Sequence, residues 1–332
     1  MSEALAIAHP RDVYRLEGAE APEQAFLAAL ARGRLHHAWL LVGPEGVGKA
    51  SFAYRAARRL LGARPAPEFG LLGADPEDPV SRQVAARAHP DLLVLEREGE
   101  EGRTRKSIPV DEARLLPEFF SKSPATAAFR VAIIDSADDL GVSAANAVLK
   151  TLEEPPERGV LLLVSHAPGA LLPTIRSRCR RLAFAPPPTD LAAAWLMRAA
   201  DVSVEDAHGL LRIARGAPGR ALRLASAGAL EVDEVARQLV EGLPAVDGSA
   251  ALAVSDSFRG PEGQARFDLM MDRLAAAVHA RTTSAALDGR GALDRWAEAW
   301  ELLADLPGEV EGLNLDRTDA FYTALGRLKA LV

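Results

Sequence analysis

The sequence predicts an α/β domain with a doubly wound parallel sheet, followed by chain that is helical throughout. Three observations carry this reading. Four short, continuous apolar runs lie before Phe184: His37–Val42, Asp91–Glu96, Arg130–Asp135 and Gly159–Ser165. Continuous runs of this length suit strands buried on both faces, as parallel strands are. Helical patterns separate them, and strands alternating with helices argue a doubly wound fold. After Phe184 no strand-like run recurs.

The elements follow in order. His37-Ala-Trp-Leu-Leu-Val42 reads as a strand, and Ala50–Leu61, rich in Ala, Arg and Leu, as the helix after it. Gly62–Ala88 holds Pro65, Pro67, Pro76 and Pro79 among scattered acids and reads as a long surface excursion. Glu96–Lys106 reads as a second exposed, charged loop. Val110–Phe120 has apolar residues at helical spacing. Ser143–Leu152 reads as a helix capped by Ser143 and stopped by Pro155-Pro156. Pro186-Pro187-Pro188 suits a hinge. Beyond it Thr189–Met197, Ser203–Ala214 and Pro218–Ala225 read as three short helices, with Ser203 and Asp206 set as a capping box. From Val232 the pattern stays helical, punctuated by Gly242-Leu-Pro244, Gly260-Pro261 and Leu306-Pro-Gly308, with a last helix from about Asp316. The expected domains are 1–185 (α/β), 186–236 (a small helical lid) and 237–332 (an all-α C-terminal domain).

Composition narrows the function. The 39 Lys and Arg against 46 Asp and Glu leave a net charge of −7, which excludes a globally basic nucleic-acid coat while allowing a local basic patch. A single cysteine, Cys179, excludes an internal disulfide and any cysteine-based zinc or iron–sulfur site within one chain. No run approaches the ~20 apolar residues that span a bilayer, and Met1–Pro10 lacks the pattern of a signal peptide. A soluble, cytoplasmic protein without a membrane partner is the expectation.

The chemistry concentrates at Gly43-Pro44-Glu45-Gly46-Val47-Gly48-Lys49-Ala50, which follows a predicted strand and opens a predicted helix. That is the setting of a phosphate-binding loop. Glycines let backbone N–H groups wrap phosphates, the helix N-terminus adds positive potential, and Lys49 reaches the outer phosphates. The motif needs Ser or Thr after the lysine to bind Mg²⁺. Here Ala50 stands there, and Ser51 comes one residue late, turned about 100° around the helix. ATP or ADP is the candidate ligand, with Mg²⁺ poorly held, and a Gly-rich strand–helix turn that binds nothing is the alternative. At the end of the strand Arg130–Asp135, Asp135 supplies one acid. Where a second acid would polarise water stands Ser136, which cannot serve as a general base near neutral pH. Both departures argue against independent ATPase activity.

Four further stretches resemble a known family. Asn146-Ala-Val-Leu-Lys-Thr-Leu-Glu-Glu-Pro-Pro156, Thr174-Ile-Arg-Ser-Arg-Cys179, Arg34-Leu-His-His-Ala-Trp-Leu-Leu-Val-Gly43 and His89-Pro-Asp91 are similar in order and spacing to the AAA+ clamp-loader family, on its delta-prime branch in bacterial DNA polymerase III. The resemblance covers about Glu20–Ala185. Beyond that it rests on helical architecture and on the final Asn314-Leu-Asp-Arg317, where the last helix begins.

The resemblance implies a P-loop AAA+ domain, a lid and a helical collar that joins five subunits. It implies a stator rather than a motor, with gamma/tau motor subunits, a delta subunit, the sliding clamp and primer–template DNA as partners in replication. It places a trans-acting arginine finger at Arg178, the arginine of Ser177-Arg178-Cys179. A guanidinium is a planar, permanently charged donor fork suited to phosphate oxygens. Arg176, Arg180 and Arg181 flank it as a basic turn. Ser165 falls at the family's first sensor position and is expected to buttress the site, and Arg220 falls where a second sensor would approach the γ-phosphate. Many relatives carry a four-cysteine zinc module after the P-loop helix. The matching stretch, 62–88, has no cysteine, so no zinc is expected, and His36, His37 and His89 form no substitute cluster. An active ATPase motor of the same machine is the alternative; Ala50 and Ser136 speak against it.

Overall fold

The apolar runs become parallel strands. A computed structural model describes residues 7–97, 105–287 and 293–330. The chain divides into two compact units, Met1–Arg223 and Leu224–Val332.

The first unit is a five-stranded sheet with helices on both faces. Strands β1 (Ala38–Val42), β2 (Leu92–Glu96), β3 (Arg130–Asp135), β4 (Gly159–Ser165) and β5 (Arg180–Ala183) lie in the order β2-β3-β4-β1-β5. Every pairing is parallel, in a register that sets Val42 beside Ser165 and Glu96 beside Asp135. Side chains alternate across the sheet, as the period of two requires. Trp39, Leu41, Val131, Ile133, Leu162 and Val164 face helices α1 (Glu20–Ala31), α2 (Lys49–Leu61) and α3 (Pro79–Ala85). Leu40, Ala132, Ile134, Leu161 and Leu163 face α4 (Val110–Ala113), α5 (Leu115–Ser121), α6 (Val142–Glu153) and α7 (Pro173–Arg178). Burial on both faces explains why the runs are continuously apolar.

The unit continues through α8 (Thr189–Ala200), α9 (Val204–Ile213) and the start of α10 (Pro218–Ser226). Ser203 caps α9 by accepting from the Asp206 amide at 3.1 Å. In the second unit α11 (Ala229–Glu241), α12 (Gly248–Asp256), α13 (Gly263–Leu287), α14 (Leu293–Leu313) and α15 (Arg317–Lys329) surround one core. Leu239, Met271, Leu274, Leu303 and Leu325 meet there. Phe258 packs edge-on against Phe267 and Phe321, with ring centres 5.3 and 5.5 Å apart. Asp316 caps α15, accepting from the Asp319 amide at 3.0 Å.

Several sequence expectations need correction. Helix α6 begins at Val142, and its N-cap is Gly141, so Ser143 lies inside its first turn and is not the cap. The helix expected over Val110–Phe120 breaks into two at Arg114. Pro307 lies inside α14 instead of ending it. Leu303, Leu306 and Val310 are all buried in the core and hold the helix across the missing N–H. The stretch 62–88 is no surface excursion. It contains α3, its Leu72 and Val84 are buried, and Ala66 donates to Gly73 O at 3.0 Å. Most of the charged loop expected over Glu96–Lys106, residues 98–104, lies outside the described residues.

Candidate nucleotide site

The phosphate loop, Gly43–Gly48, joins β1 to α2 at the carboxyl ends of the strands, where open α/β sheets bind ligands. Two of its glycines are required by geometry. Gly43 (φ +151°) leaves room for Phe184, whose carbonyl oxygen would lie 2.2 Å from an added Cβ. Gly46 (φ +82°) lies against α10, and a Cβ there would meet the Arg220 amide nitrogen at 2.3 Å. Gly219 N–H donates to Gly46 O at 2.8 Å, so α10 starts on the loop.

Lys49 opens α2 and is only 2% exposed. Its Nζ donates to Gly43 O at 2.6 Å and to Pro44 O at 2.5 Å. Burial pushes its pKa down to about 8, against the pull of Asp135, Asp138 and Glu45. Ala50 and Ser51 line the same cavity, and Ala50 contributes no oxygen.

At the ends of β3 and β4 lie the acids. Burial pushes Asp135 up to about 6; Glu96 adds to the rise and Lys49 opposes it. The Ser136 hydroxyl donates to Asp139 at 2.7 Å and caps the turn Ala137–Asp139. Ser165 donates to Asp138 Oδ1 at 2.8 Å, and the His166 amide also donates to Asp138. Asp138 is thus committed to orienting the β4 end.

The cavity, of about 320 Å³, is walled by more than the loop. Val13 and Leu16 come from the segment before α1, Leu191 and Trp195 from α8, and Leu222 and Arg223 from α10. Arg223 closes the rim through a 2.6 Å ion pair with Glu45. Arg220 sets its backbone against Gly46, and the α10 arginine lining the cavity is Arg223. Sequence reading missed Arg223. Its one signal was the three-residue spacing from Arg220, which puts both on neighbouring positions of a helix face. The apolar wall residues carry no signal of their own, because in sequence they read as core.

Arg178 lies elsewhere. It ends α7, its side chain is 37% exposed, and it is not among the cavity residues. Its Nη1 donates to Thr174 O at 3.2 Å, and its Nη2 lies 3.1 Å from Glu153 Oε1. Cys179 beside it is half-buried, and burial pushes its thiol up to about 12.

The His-Pro-Asp stretch is structural. Asp91 is fully buried and accepts from the amides of Ala125, Thr126 and Ala127 at 2.7, 2.9 and 3.1 Å. Burial raises its pKa, but these amides and Arg130 outweigh it and hold the group below the usual carboxylate range. His89 accepts from the Asp91 amide at 3.1 Å. His36 and His37 stack on each other, with centres 4.4 Å apart. Among the described residues no three His, Cys, Asp or Glu side chains are grouped to hold a metal. Among those residues, too, no helix is long and apolar enough to cross a membrane.

Comparison with known proteins gives a consistent picture. Residues 18–188 match the family described as DNA polymerase III, delta subunit. The chain is 40% identical over 223 residues to a DNA polymerase III subunit delta' of Pseudomonas aeruginosa, covering 67% of this chain and 65% of that protein. It is 31% identical to the Escherichia coli subunit of the same name, covering 72% and 69%. A DNA polymerase III subunit gamma/tau of Mycobacterium tuberculosis is 32% identical over 60% of this chain and 33% of that protein. The match thus spans about two thirds of the delta' relatives' length.

Proposed function

The chain belongs to the DNA polymerase III delta-subunit family, and on that premise we propose that it is a stator of a clamp loader: it binds a nucleotide without turning it over and lends Arg178 to a neighbour's ATP site. The observation that carries the reading is the contrast between a formed phosphate loop and the residues around it. Gly43–Gly48, Lys49 and the α2 N-terminus fit a polyphosphate, and the apolar wall of Val13, Leu16, Leu191 and Trp195 fits a base. The residues do not fit a catalytic Mg²⁺. Ala50 offers no ligand, and Asp135 is raised to about 6. Ser136 is spent as a cap, and Asp138 is spent on the β4 end.

In this reading the chain assembles with gamma/tau motor subunits and a delta subunit in the cytoplasm, and meets the sliding clamp and primed DNA within that assembly. Contact with DNA is to phosphates and independent of sequence, because loading serves any primer. The three-domain division and the sensor roles of Ser165 and Arg220 belong to the same proposal.

Phosphate release by the reconstituted loader, with clamp and primed DNA, tests it. Arg178→Ala is expected to lower turnover steeply, since fingers of this kind are worth about 10³–10⁵ in other NTPases. The chain alone is expected to release none. Turnover by the chain alone would instead identify a motor, and unchanged turnover with Arg178→Ala would leave only a scaffold.

A further inference from the structure

Two sequence stretches, Asn146–Pro156 and Thr174–Cys179, meet in the fold through their charged ends. Helix α6 ends at Glu153, with its C-cap Glu154 standing before Pro155-Pro156, and α7 ends at Arg178. Val148, Leu152 and Ile175 share one core cluster, so the two helices are fixed against each other. At their ends Arg178 Nη2 lies 3.1 Å from Glu153 Oε1, and Arg178 Nη1 donates to Thr174 O at 3.2 Å. Of the four arginines from 176 to 181, Arg178 alone has a carboxylate partner among the described residues. Glu153 also sits where its charge is unwelcome. A carboxylate at a helix C-terminus opposes the helix dipole, and its stability contribution from an exposed pair is small. Stability therefore does not account for it.

We propose that Glu153 is a positioning residue for Arg178. The inference rests on the reading of Arg178 as a trans-acting finger. A guanidinium carries five N–H donors in a fixed plane. One is taken by Thr174 O and one points to Glu153, which leaves three for a phosphate outside the chain. Two anchors on adjacent nitrogens fix the plane and its rotation about the long side chain. The neighbour's transition state then meets an arginine that has already lost its rotamer freedom.

The test is a double-mutant cycle in the reconstituted loader with clamp and primed DNA, reading kcat and KM for ATP. Glu153→Ala is expected to lower kcat about two- to fivefold, the range an exposed pair can carry, with KM unchanged. Glu153→Gln keeps an acceptor and should recover part of the loss. In an Arg178→Ala background Glu153→Ala should do nothing further. An equal loss in that background would make Glu153 merely structural and overturn the proposal. So would unchanged or faster turnover with Glu153→Ala while Arg178→Ala still abolishes it. No effect from Arg178→Ala itself would defeat the finger reading, an outcome separate from the failure of Glu153. Thermal unfolding of the variants controls for folding and should not move.

Discussion

Replacing Glu23 by Ala should unfold the first unit far more easily than any surface substitution. Glu23 and Arg55 form a buried pair, 3% and 1% exposed at the side chain. Arg55 Nε and Nη2 donate to Glu23 Oε1 at 3.0 and 2.8 Å, and Nη2 also to Phe69 O at 3.0 Å. The other oxygen of Glu23 accepts from the Leu72 amide at 3.1 Å. These bonds tie the stretch after α2 to α1 and α2 through a buried carboxylate and guanidinium, beside the apolar packing of Leu72 and Val84. Removing one partner strands a buried cation, which costs about 3–5 kcal/mol. The orphaned Leu72 amide contributes about 1–3 kcal/mol within that total. For a unit of this size the melting midpoint should fall by about 6–20 °C. Circular dichroism of the full chain on heating reads it. Glu118→Ala, which removes an ion pair with Lys122 open to solvent, is the control and should leave the midpoint in place. Replacing both Glu23 and Arg55 by Met should cost less than Glu23→Ala, because no charge is then left buried. A midpoint lowered by less than about 2 °C in Glu23→Ala would refute the argument that this pair holds the segment.

Three more expectations concern the site. Asp135 has a folded pKa of about 6, above its unfolded value of about 4. Between these values the folded state holds more protons, so stability falls as pH rises from about 4 to 6 and stays lower above that. Asp135→Asn should remove that slope and gain about 1–3 kcal/mol at pH 8 relative to pH 5, by urea unfolding; an unchanged pH profile would count against it. Gly46→Ala should push α10 off the loop, since its Cβ would meet Arg220 N at 2.3 Å. About 1–3 kcal/mol of strain is expected, with faster hydrogen exchange at the Gly219 amide. Binding of ADP, measured by calorimetry, should survive removal of Mg²⁺ by EDTA and be lost in Lys49→Ala. It should weaken as pH rises past about 8, where Lys49 loses its proton.

The first unit's strands and the loop between β1 and α2 were legible because each rests on local chemistry. A strand buried on both faces must be apolar along its length, and β3 and β4 match their sequence runs residue for residue. β5 was illegible for the opposite reason. It is an edge strand carrying Arg180 and Arg181, exposed at three of its four residues, so it lacks the apolar signature. The stretch 62–88 misled because four prolines resemble open loop, whereas its anchors, Glu23 and Arg55, lie outside that window, on α1 and α2.

What the sequence determined by itself was the parallel α/β core, the helical chain after it, and the absence of a hydroxyl at 50 and of an acid at 136. These are properties of single positions and short periods, and no folding is needed to read them. The strand order, the cavity wall built from residues as distant as Val13 and Trp195, the Glu45–Arg223 closure and the Glu153–Arg178 contact were decided only by tertiary structure. The reason is that these contacts join side chains tens to almost two hundred residues apart. Periodicity describes which face of an element is buried, and it carries no information about which other element will cover that face.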